Sequence, residues 1–443
     1  MTAVTSDGLP PAGRMNHPIL AVLQRIGRSL MLPIAVLPAA GLLLRFGQDD
    51  MLGSGDTGLH LASRLGWDWV QNVANVFSAA GGALFTNLAL LFAVGVAVGF
   101  ARRSDGSTAL AAVVGYLVFI EVIKALTTVT PAGGGDPVVE GDPKILGGVV
   151  IGVVTALLYQ RYYRVKLPPY LAFFGGRRFV PIITAFAALI LGVLFANVWP
   201  WLGEGLDSFG EWLTDQGAVG AGIFGVVNRA LLPLGLHHIV NSVVWFQFGD
   251  LTRFFKGDPE AGMFMTGFFP VMMFGLPAAA VAIWRNALPQ NRAVIGGIML
   301  SAALTSFVTG ITEPIEFAFL FVAPVLYGIH AVLTGLSLAI MELLGVKDGF
   351  SFSAGFIDYA INWGQATKPW LIIPVGLIYA VVYYVVFTVA IRRFNLLTPG
   401  REPEAAAEVP APGPAAEVPA AGRPEPATAR REQPEAGAAE PIG

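Results

Sequence analysis

The sequence predicts an all-α polytopic membrane protein, and three observations predict it. Apolar residues make up 55% of the 443 and charged residues only 13%, about half the charged share of a soluble domain. The first half holds five apolar stretches, roughly 29–46, 78–100, 108–128, 146–160 and 179–201, each near the ~20 residues that cross a bilayer. The loops between them alternate in charge, as the bias of basic residues toward the cytoplasm requires.

The charge pattern runs in order along the chain. Arg14, Arg25 and Arg28 precede or open the first stretch, and no small-residue cleavage site follows, so residues 1–17 read as a cytoplasmic tail and not as a cleaved signal peptide. Segment 47–77 is a long external link in which Trp67 and Trp69 suit the membrane interface. Loop 101–107 carries Arg102 and Arg103. Loop 129–145 carries Asp136, Glu140 and Asp142 against Lys144 alone. Loop 161–178 is basic through Arg161, Arg164, Lys166, Arg177 and Arg178. Loop 202–216 holds Glu204, Asp207, Glu211 and Asp215 and no Lys or Arg. The pattern places the N-terminus and the basic loops inside and the acidic loops outside. Gly95 and Gly99, and Gly148 and Gly152, are spaced for close helix packing.

The second half is less regular. Apolar stretches at about 217–249, 261–284, 293–312, 315–344 and 371–391 are interrupted by prolines and polar residues. Broken backbone at membrane depth is tolerated where protein or a water-filled cavity satisfies it, and in transporters such segments build the substrate site. Residues 18–215 therefore read as scaffold and 216–400 as the substrate-binding half. Residues 401–443, rich in Pro, Ala and Glu, lack the apolar surface to fold and read as a disordered cytoplasmic tail.

Three groups of polar residues stand in these apolar surroundings, where ionisable side chains are functional suspects. The first is Asn228 and Arg229, then Gly235-Leu236-His237-His238, then Asn241. Such groups hydrogen-bond sugar hydroxyls; they also cap helix breaks. The second is Thr309-Gly310-Ile311-Thr312-Glu313-Pro314-Ile315-Glu316. Pro314 disfavours helical backbone at Glu313, which sets a carboxylate at a break, able to accept two hydroxyl hydrogen bonds or a hydroxyl proton. The bland alternative is a buried carboxylate paired with an arginine. Glu316 follows one turn on. The third is Gly349–Gly355 with Asp358, where small residues admit a ligand or another loop, or form an ordinary turn with Asp358 among headgroups. Asn87, inside the second stretch, is a candidate for lining the path. Glu121 and Lys124, three apart, suit a helical ion pair, and for Glu342 the pattern favours no reading.

Several functions are excluded or unsupported. A net charge of −3 without a basic cluster gives no nucleic-acid footprint. No phosphate-binding G-x-x-x-x-G-K-[ST] loop is present, which argues against an ATP-driven pump. No cofactor or metal-ligand pattern occurs, and the absence of cysteine removes disulfides, thiolate metal sites and cysteine nucleophiles together. On residue chemistry alone, a proton-coupled secondary sugar transporter and a sugar sensor signalling through the tail both remain open.

The motifs themselves carry a resemblance. GITEPIEFAFLFVAPVLYGIHAVLTG at 310–335 and NRALLPLGLHHIVNSVVWFQFGD at 228–250 resemble enzyme IIC of the glucose superfamily of bacterial phosphotransferase systems. LPIAVLPAAGLLLRFGQ (32–48), FFGGRRFVPI (173–182), AGMFMTGFFPVMMFGLP (261–277) and GFSFSAGFIDYA (349–360), with Trp245-Phe246-Gln247, are similar to its N-acetylglucosamine branch, glucose being the alternative. The resemblance covers roughly residues 18–402. It implies a homodimer in the bacterial cytoplasmic membrane, about ten transmembrane helices per protomer with re-entrant hairpins, and a second half that moves against a dimerising scaffold. Glu313, the catalytic candidate, or a GLHH histidine is expected to position the reacting hydroxyl. The resemblance points to Glu313 with His237 or His238 for sugar binding, motif position favouring His237; residue chemistry and position add Arg229, Asn241, Thr312 and Asn87 to the substrate-binding set. In this family enzyme IIB phosphorylates the sugar from a phosphocysteine. A chain without cysteine is therefore expected to work with a separate phosphorylated IIB protein; the basic loop 161–178 either helps recruit it or is basic only because it lies inside.

Overall fold

The computed structural model describes residues 18–54, 59–127, 129–130, 138–139, 142–351 and 353–401. The tails 1–17 and 402–443, the loop acids Asp136 and Glu140, and Phe352 lie outside the described residues. The described chain is almost wholly helical; its β-pairing is confined to the two-residue antiparallel strands β1, Val129–Thr130, and β2, Val138–Val139, and to an isolated antiparallel bridge between Lys347 and Thr367.

Helices α1 (Pro18–Ile34) and α2 (Leu37–Phe46) share one apolar span from Gln24 to Phe46. Pro38 lacks an N–H, so the ladder breaks between them, and Val36 N–H bonds back to Pro33 O in a tighter turn (3.2 Å). Helix α3 (Leu61–Leu65) lies in the link, where Trp67 and Trp69 are exposed and stacked at 5.8 Å. Helices α4 (Asp68–Thr86) and α5 (Leu88–Phe100) meet at Asn87 with a 56° bend. The expected straight span 78–100 thus straddles a corner. Asn87 Nδ2 donates to Ala83 O (2.9 Å), competing for an acceptor of the helix ladder.

Helix α6 (Gly106–Leu126) starts from a capping box, with Ser107 N–H bonded to Asp105 Oδ1 (2.9 Å) and Asp105 N–H to Thr108 Oγ1 (3.3 Å). The Ser107 hydroxyl, more than any other neighbour, holds the Asp105 carboxyl below the usual carboxylate range. Helix α7 (Lys144–Tyr162) extends the short 146–160 stretch into both flanks. A Cβ added at Gly148 would strike the carbonyl of Ala89, and one at Gly152 would lie 2.7 Å from that of Ala93, so these glycines let α7 lie directly on α5. Gly99 lies against Ser29 and Gly95 against Pro33, which seats α1 on the other side of α5. Both small-residue pairs are therefore helix interfaces within the chain.

Helix α8 (Phe179–Asp215) corrects one expectation. The segment 202–216, read as an external loop, continues the helix past Pro200, giving 37 residues in all. At 1.5 Å per residue that is roughly 55 Å, well beyond a ~30 Å hydrocarbon layer. Its acidic end, from Glu204 to Asp215, needs no break because no residue there forbids helix.

The second half is built from shorter pieces. Helix α9 (Ala218–Leu231) leads through a 3₁₀ turn at Leu232–Leu234 and a left-handed Gly235 into α10 (His237–Ser242). A π-helical turn, Val243–Gln247, and a left-handed Gly249 follow before α11 (Asp250–Phe255). A second π turn, Pro270–Gly275, opens α12 (Leu276–Asn286). Helix α13 (Arg292–Thr309) stops at Gly310, where φ is +74°, and α14 (Glu313–Leu320) begins. Helices α15 (Pro324–Leu343), α16 (Phe356–Asn362) and α17 (Ile372–Arg393) complete the order. Gly222 and Gly225 of α9 meet Gly335 of α15, so these two helices also touch through glycine.

Among the described residues seven helices are long and apolar enough to span a membrane, or eight if α4 and α5 count as one bent span. The expected ten is not reached, because the stretches at 217–249 and 261–284 are divided among pieces shorter than a crossing. Large apolar side chains on α8 (Phe186, Ile190, Leu194) and α17 (Ile378, Val381, Val389) are exposed, the inversion of a soluble surface expected where lipid is the solvent.

Candidate functional site

Four segments converge on one cavity of about 230 Å³. The α1–α2 break supplies Met31, Ile34, Ala35, Leu37 and Pro38. The α9–α10 corner supplies Arg229, Leu232, His237, His238 and Asn241, and the π turn after it supplies Trp245. The break between α13 and α14 supplies Gly310, Ile311, Thr312 and Glu313. Phe350, Ser351 and Ser353 close the remaining side, with Leu251, Phe268 and Met272 beneath. Nearly every lining segment is a place where a helix stops. Helix ends free polar backbone and turn side chains inward, which a continuous helix cannot do.

Six of the seven residues singled out for substrate binding therefore share one wall: His237, His238, Arg229, Asn241, Thr312 and Glu313. The seventh, Asn87, does not join them. It is exposed at the α4–α5 bend, its amide spent on Ala83 O.

The polar groups differ in what already holds them. Asn241 Oδ1 accepts from Asn228 Nδ2 at 2.5 Å, and both side chains are buried. The His237 and His238 rings lie 3.9 Å apart, and His237 Nδ1 is buried without a hydrogen-bond partner. Trp245 packs edge-on against Phe350 at 5.2 Å, and its buried indole N–H also lacks a partner. Buried donors are rarely left unpaired without a functional reason.

The two carboxylates of the TEPIE segment separate cleanly. Glu313 opens α14 and faces the cavity, and no cation pairs with it among the described residues. Glu316 is fully buried behind it. It accepts from Arg229 Nη1 at 2.6 Å, and His330 Nε2 lies 3.1 Å from the same oxygen. The arginine-paired carboxylate offered as the bland alternative for Glu313 is thus found at Glu316. His330 went unnoticed in the sequence, although a histidine inside the apolar stretch 315–344 is an ionisable group in a span and was detectable as one. Tyr383, 2.8 Å from His330 Nδ1, and Tyr327, whose hydroxyl donates to Arg229 O at 2.5 Å, carry no such signal.

The glycine-rich segment after α15 packs on the TEP corner. Ser353 Oγ donates to Gly310 O at 2.8 Å, and Gly355 sits where a Cβ would collide with Thr309 and Gly310. Asp358 is buried, not among headgroups, and Ser351 donates to its Oδ1 through both N–H and Oγ at 2.7 Å. Glu121 pairs with Lys124 at 2.7 Å as its spacing predicts, and Glu342 pairs with Lys347 at 2.6 Å.

Comparison with known proteins agrees with this geometry. The family described as phosphotransferase system, EIIC matches residues 27–335. The N-acetylglucosamine-specific EIIC component of Streptomyces coelicolor is 54% identical over 421 residues, covering 92% of this chain and 99% of that protein. The corresponding EIICB component of Bacillus subtilis is 46% identical over 398 residues, with 88% and 81% covered. The EIICBA component of Escherichia coli is 47% identical over 399 residues, and the match spans 87% of this chain but 57% of that longer protein. In three dimensions the chain resembles the transporter ChbC, the IIC component of an N,N'-diacetylchitobiose-specific phosphotransferase system. The TM-score is 0.57 at 17% identity, covering 84% of this chain and 93% of the other; that likeness concerns fold alone. From the family match and these identities, the chain is a multi-pass membrane protein belonging to the phosphotransferase system EIIC family.

Proposed function

We propose that this protein carries N-acetylglucosamine across the bacterial cytoplasmic membrane and presents it for phosphorylation by a separate phosphorylated IIB protein. The observation that carries the reading is the meeting of the GLHH and TEP segments around one cavity with buried, unpartnered ring nitrogens and a carboxylate that no cation pairs among the described residues. The Streptomyces, Bacillus and Escherichia relatives, all named as N-acetylglucosamine-specific, support the choice of sugar. Those named EIICB and EIICBA support a IIB partner. No cysteine lies within these 443 residues, so a phosphocysteine donor has to come from outside them.

In this reading Glu313 accepts hydrogen bonds from sugar hydroxyls and positions the 6-hydroxyl. His237 or His238 contributes a ring nitrogen, and Arg229, Asn241 and Thr312 complete the polar wall. The phosphocysteine of IIB transfers its phosphoryl group to that hydroxyl: the S–P bond breaks, the O–P bond to the sugar forms, the cysteine leaves as thiolate, and Glu313 accepts the hydroxyl proton. The anionic product is then held poorly, which makes uptake directional. Residues 18–215 act as the scaffold of a homodimer and 216–400 as the moving half, with the N-terminus and basic loops in the cytoplasm. The test is uptake of labelled N-acetylglucosamine into vesicles with and without phosphorylated IIB. Sugar 6-phosphate formed only with the partner is the expected result. Free sugar accumulating without it would favour proton coupling and overturn the proposal.

A further inference from the structure

Behind the cavity lies a chain of buried groups that no ligand contact accounts for. It runs from Arg229 on α9 to Glu316 on α14, to His330 on α15 and to Tyr383 on α17, with steps of 2.6, 3.1 and 2.8 Å. Glu316 and His330 are completely buried, and Arg229 is 5% exposed. Removing such charges from water is costly unless they are paired, and packing alone is served as well by apolar side chains. What distinguishes this chain is its end. Arg229 lines the cavity, its Nη1 is taken by Glu316, and its buried Nε–H has no hydrogen-bond partner among the described residues. The guanidinium also rests 5.0 Å over Phe268, and Tyr327 fixes its backbone carbonyl. An arginine held on these sides presents its remaining N–H donors in fixed directions.

We propose that His330 is a positioning residue of the sugar site, acting through Glu316 to fix the donor edge of Arg229; this rests on the sugar-site reading above. His330 Nε2–H donates to Glu316 Oε1, and Nδ1 accepts the Tyr383 hydroxyl, which selects that tautomer. Both donors converge on Glu316 Oε1, so the oxygen that faces Arg229 is held by a second bond. Without the His330 contact the carboxylate gains rotational freedom, and the guanidinium loses its fixed direction.

Two amide substitutions separate the halves of the His330 contact. The amide nitrogen of His330→Gln stands near the place of Nε2 and retains the donor to Glu316. His330→Asn places its amide near Nδ1 and loses that donor. The measurement is equilibrium binding of labelled N-acetylglucosamine to the purified full-length protein, with thermal unfolding as a parallel readout. The expected result is a Kd raised about tenfold in H330N, the effect of one hydrogen bond to a charged group, and within about twofold of wild type in H330Q, although both lose a ring. Equal Kd in wild type, H330N and H330Q would overturn the proposal, as would equal weakening in both variants. If H330N does not fold, Tyr383→Phe, which keeps the ring packing, decides. A Kd raised about threefold, as loss of one neutral hydrogen bond allows, supports the proposal, and an unchanged Kd overturns it. The series is run with glucose as well. Wild-type binding of glucose alone would reject N-acetylglucosamine as substrate, while the order of the variants on the sugar that binds still decides the role of His330.

Discussion

The α5–α7 contact and the α9–α10 corner use glycine for opposite purposes. On α7, Gly148 and Gly152 lie within unbroken helix and bring two backbones together, so no polar group is freed. At Gly235 the same residue type takes a left-handed φ of +69° and ends a helix, which turns His237, His238 and Asn241 toward a cavity. The first arrangement satisfies the backbone internally and is silent toward ligands. The second leaves polar groups to be satisfied from outside the chain. Close packing at one contact and binding chemistry at the other follow from whether the helical ladder is continued or interrupted.

Substitutions sharpen that contrast, because the two regions are expected to fail in different measurements. The largest effect falls on Glu313→Ala. Coupled uptake is expected to drop about a thousandfold, the upper-middle range for a group that positions a reacting proton, while membrane insertion and thermal unfolding stay near wild type. Uptake at the wild-type rate would remove Glu313 from the site. Next is Gly148→Leu, which drives a side chain into the Ala89 carbonyl. Overpacking of this kind costs ~3 kcal/mol, read as a lowered Tm in detergent, with sugar affinity of the folded fraction unchanged. A normal Tm would mean that α5 and α7 are not in backbone contact. Trp245→Phe keeps an aromatic ring against Phe350 and removes the N–H together with part of the indole. A loss of ~1.5 kcal/mol in binding, about tenfold in Kd, is expected without a change in Tm; the reverse pattern would make Trp245 a packing residue. Asp105→Ala deletes the α6 cap and is expected to cost ~1 kcal/mol of stability, with transport intact. Lys124→Met, at an exposed ion pair, should change neither property by more than ~0.5 kcal/mol.

The sequence was legible where one physical rule dominated. Continuous apolar length marked α6, α7 and α17, and small-residue spacing marked the glycine interfaces of α5 and α7. The Glu313-Pro314 step marked a real break, and the GLHH segment marked another. Charge alone misled at 202–216, because acidic residues leave helix propensity largely intact and α8 simply continues. Asn87 looked like a polar residue lining a path, but its side chain satisfies the chain's own backbone at a bend. The buried relay was hidden for another reason. Arg229 and Glu316 are 87 residues apart, and Glu316 and His330 fourteen, so only the packed fold brings them together. The Pro314 break singled out Glu313 over Glu316 for the cavity, but that an arginine pairs with Glu316 is visible only in the fold.

The end of α2 ties the two halves together. Arg45, fully buried and paired with Asp50, donates from Nε to the carbonyl of Ile361 at 2.8 Å, and Gln48 Nε2 donates to that of Phe255 at 2.7 Å. Both donors belong to the first half and both acceptors to the second. Hydrogen bonds tolerate only a few tenths of an ångström before weakening. Any sliding of one half past the other therefore has to release this clasp first. On the movement proposed above, these bonds would act as a latch: their strength would enter the activation barrier of the movement and not the affinity of the site, so loosening them would change how often the protein turns over and leave what it binds untouched.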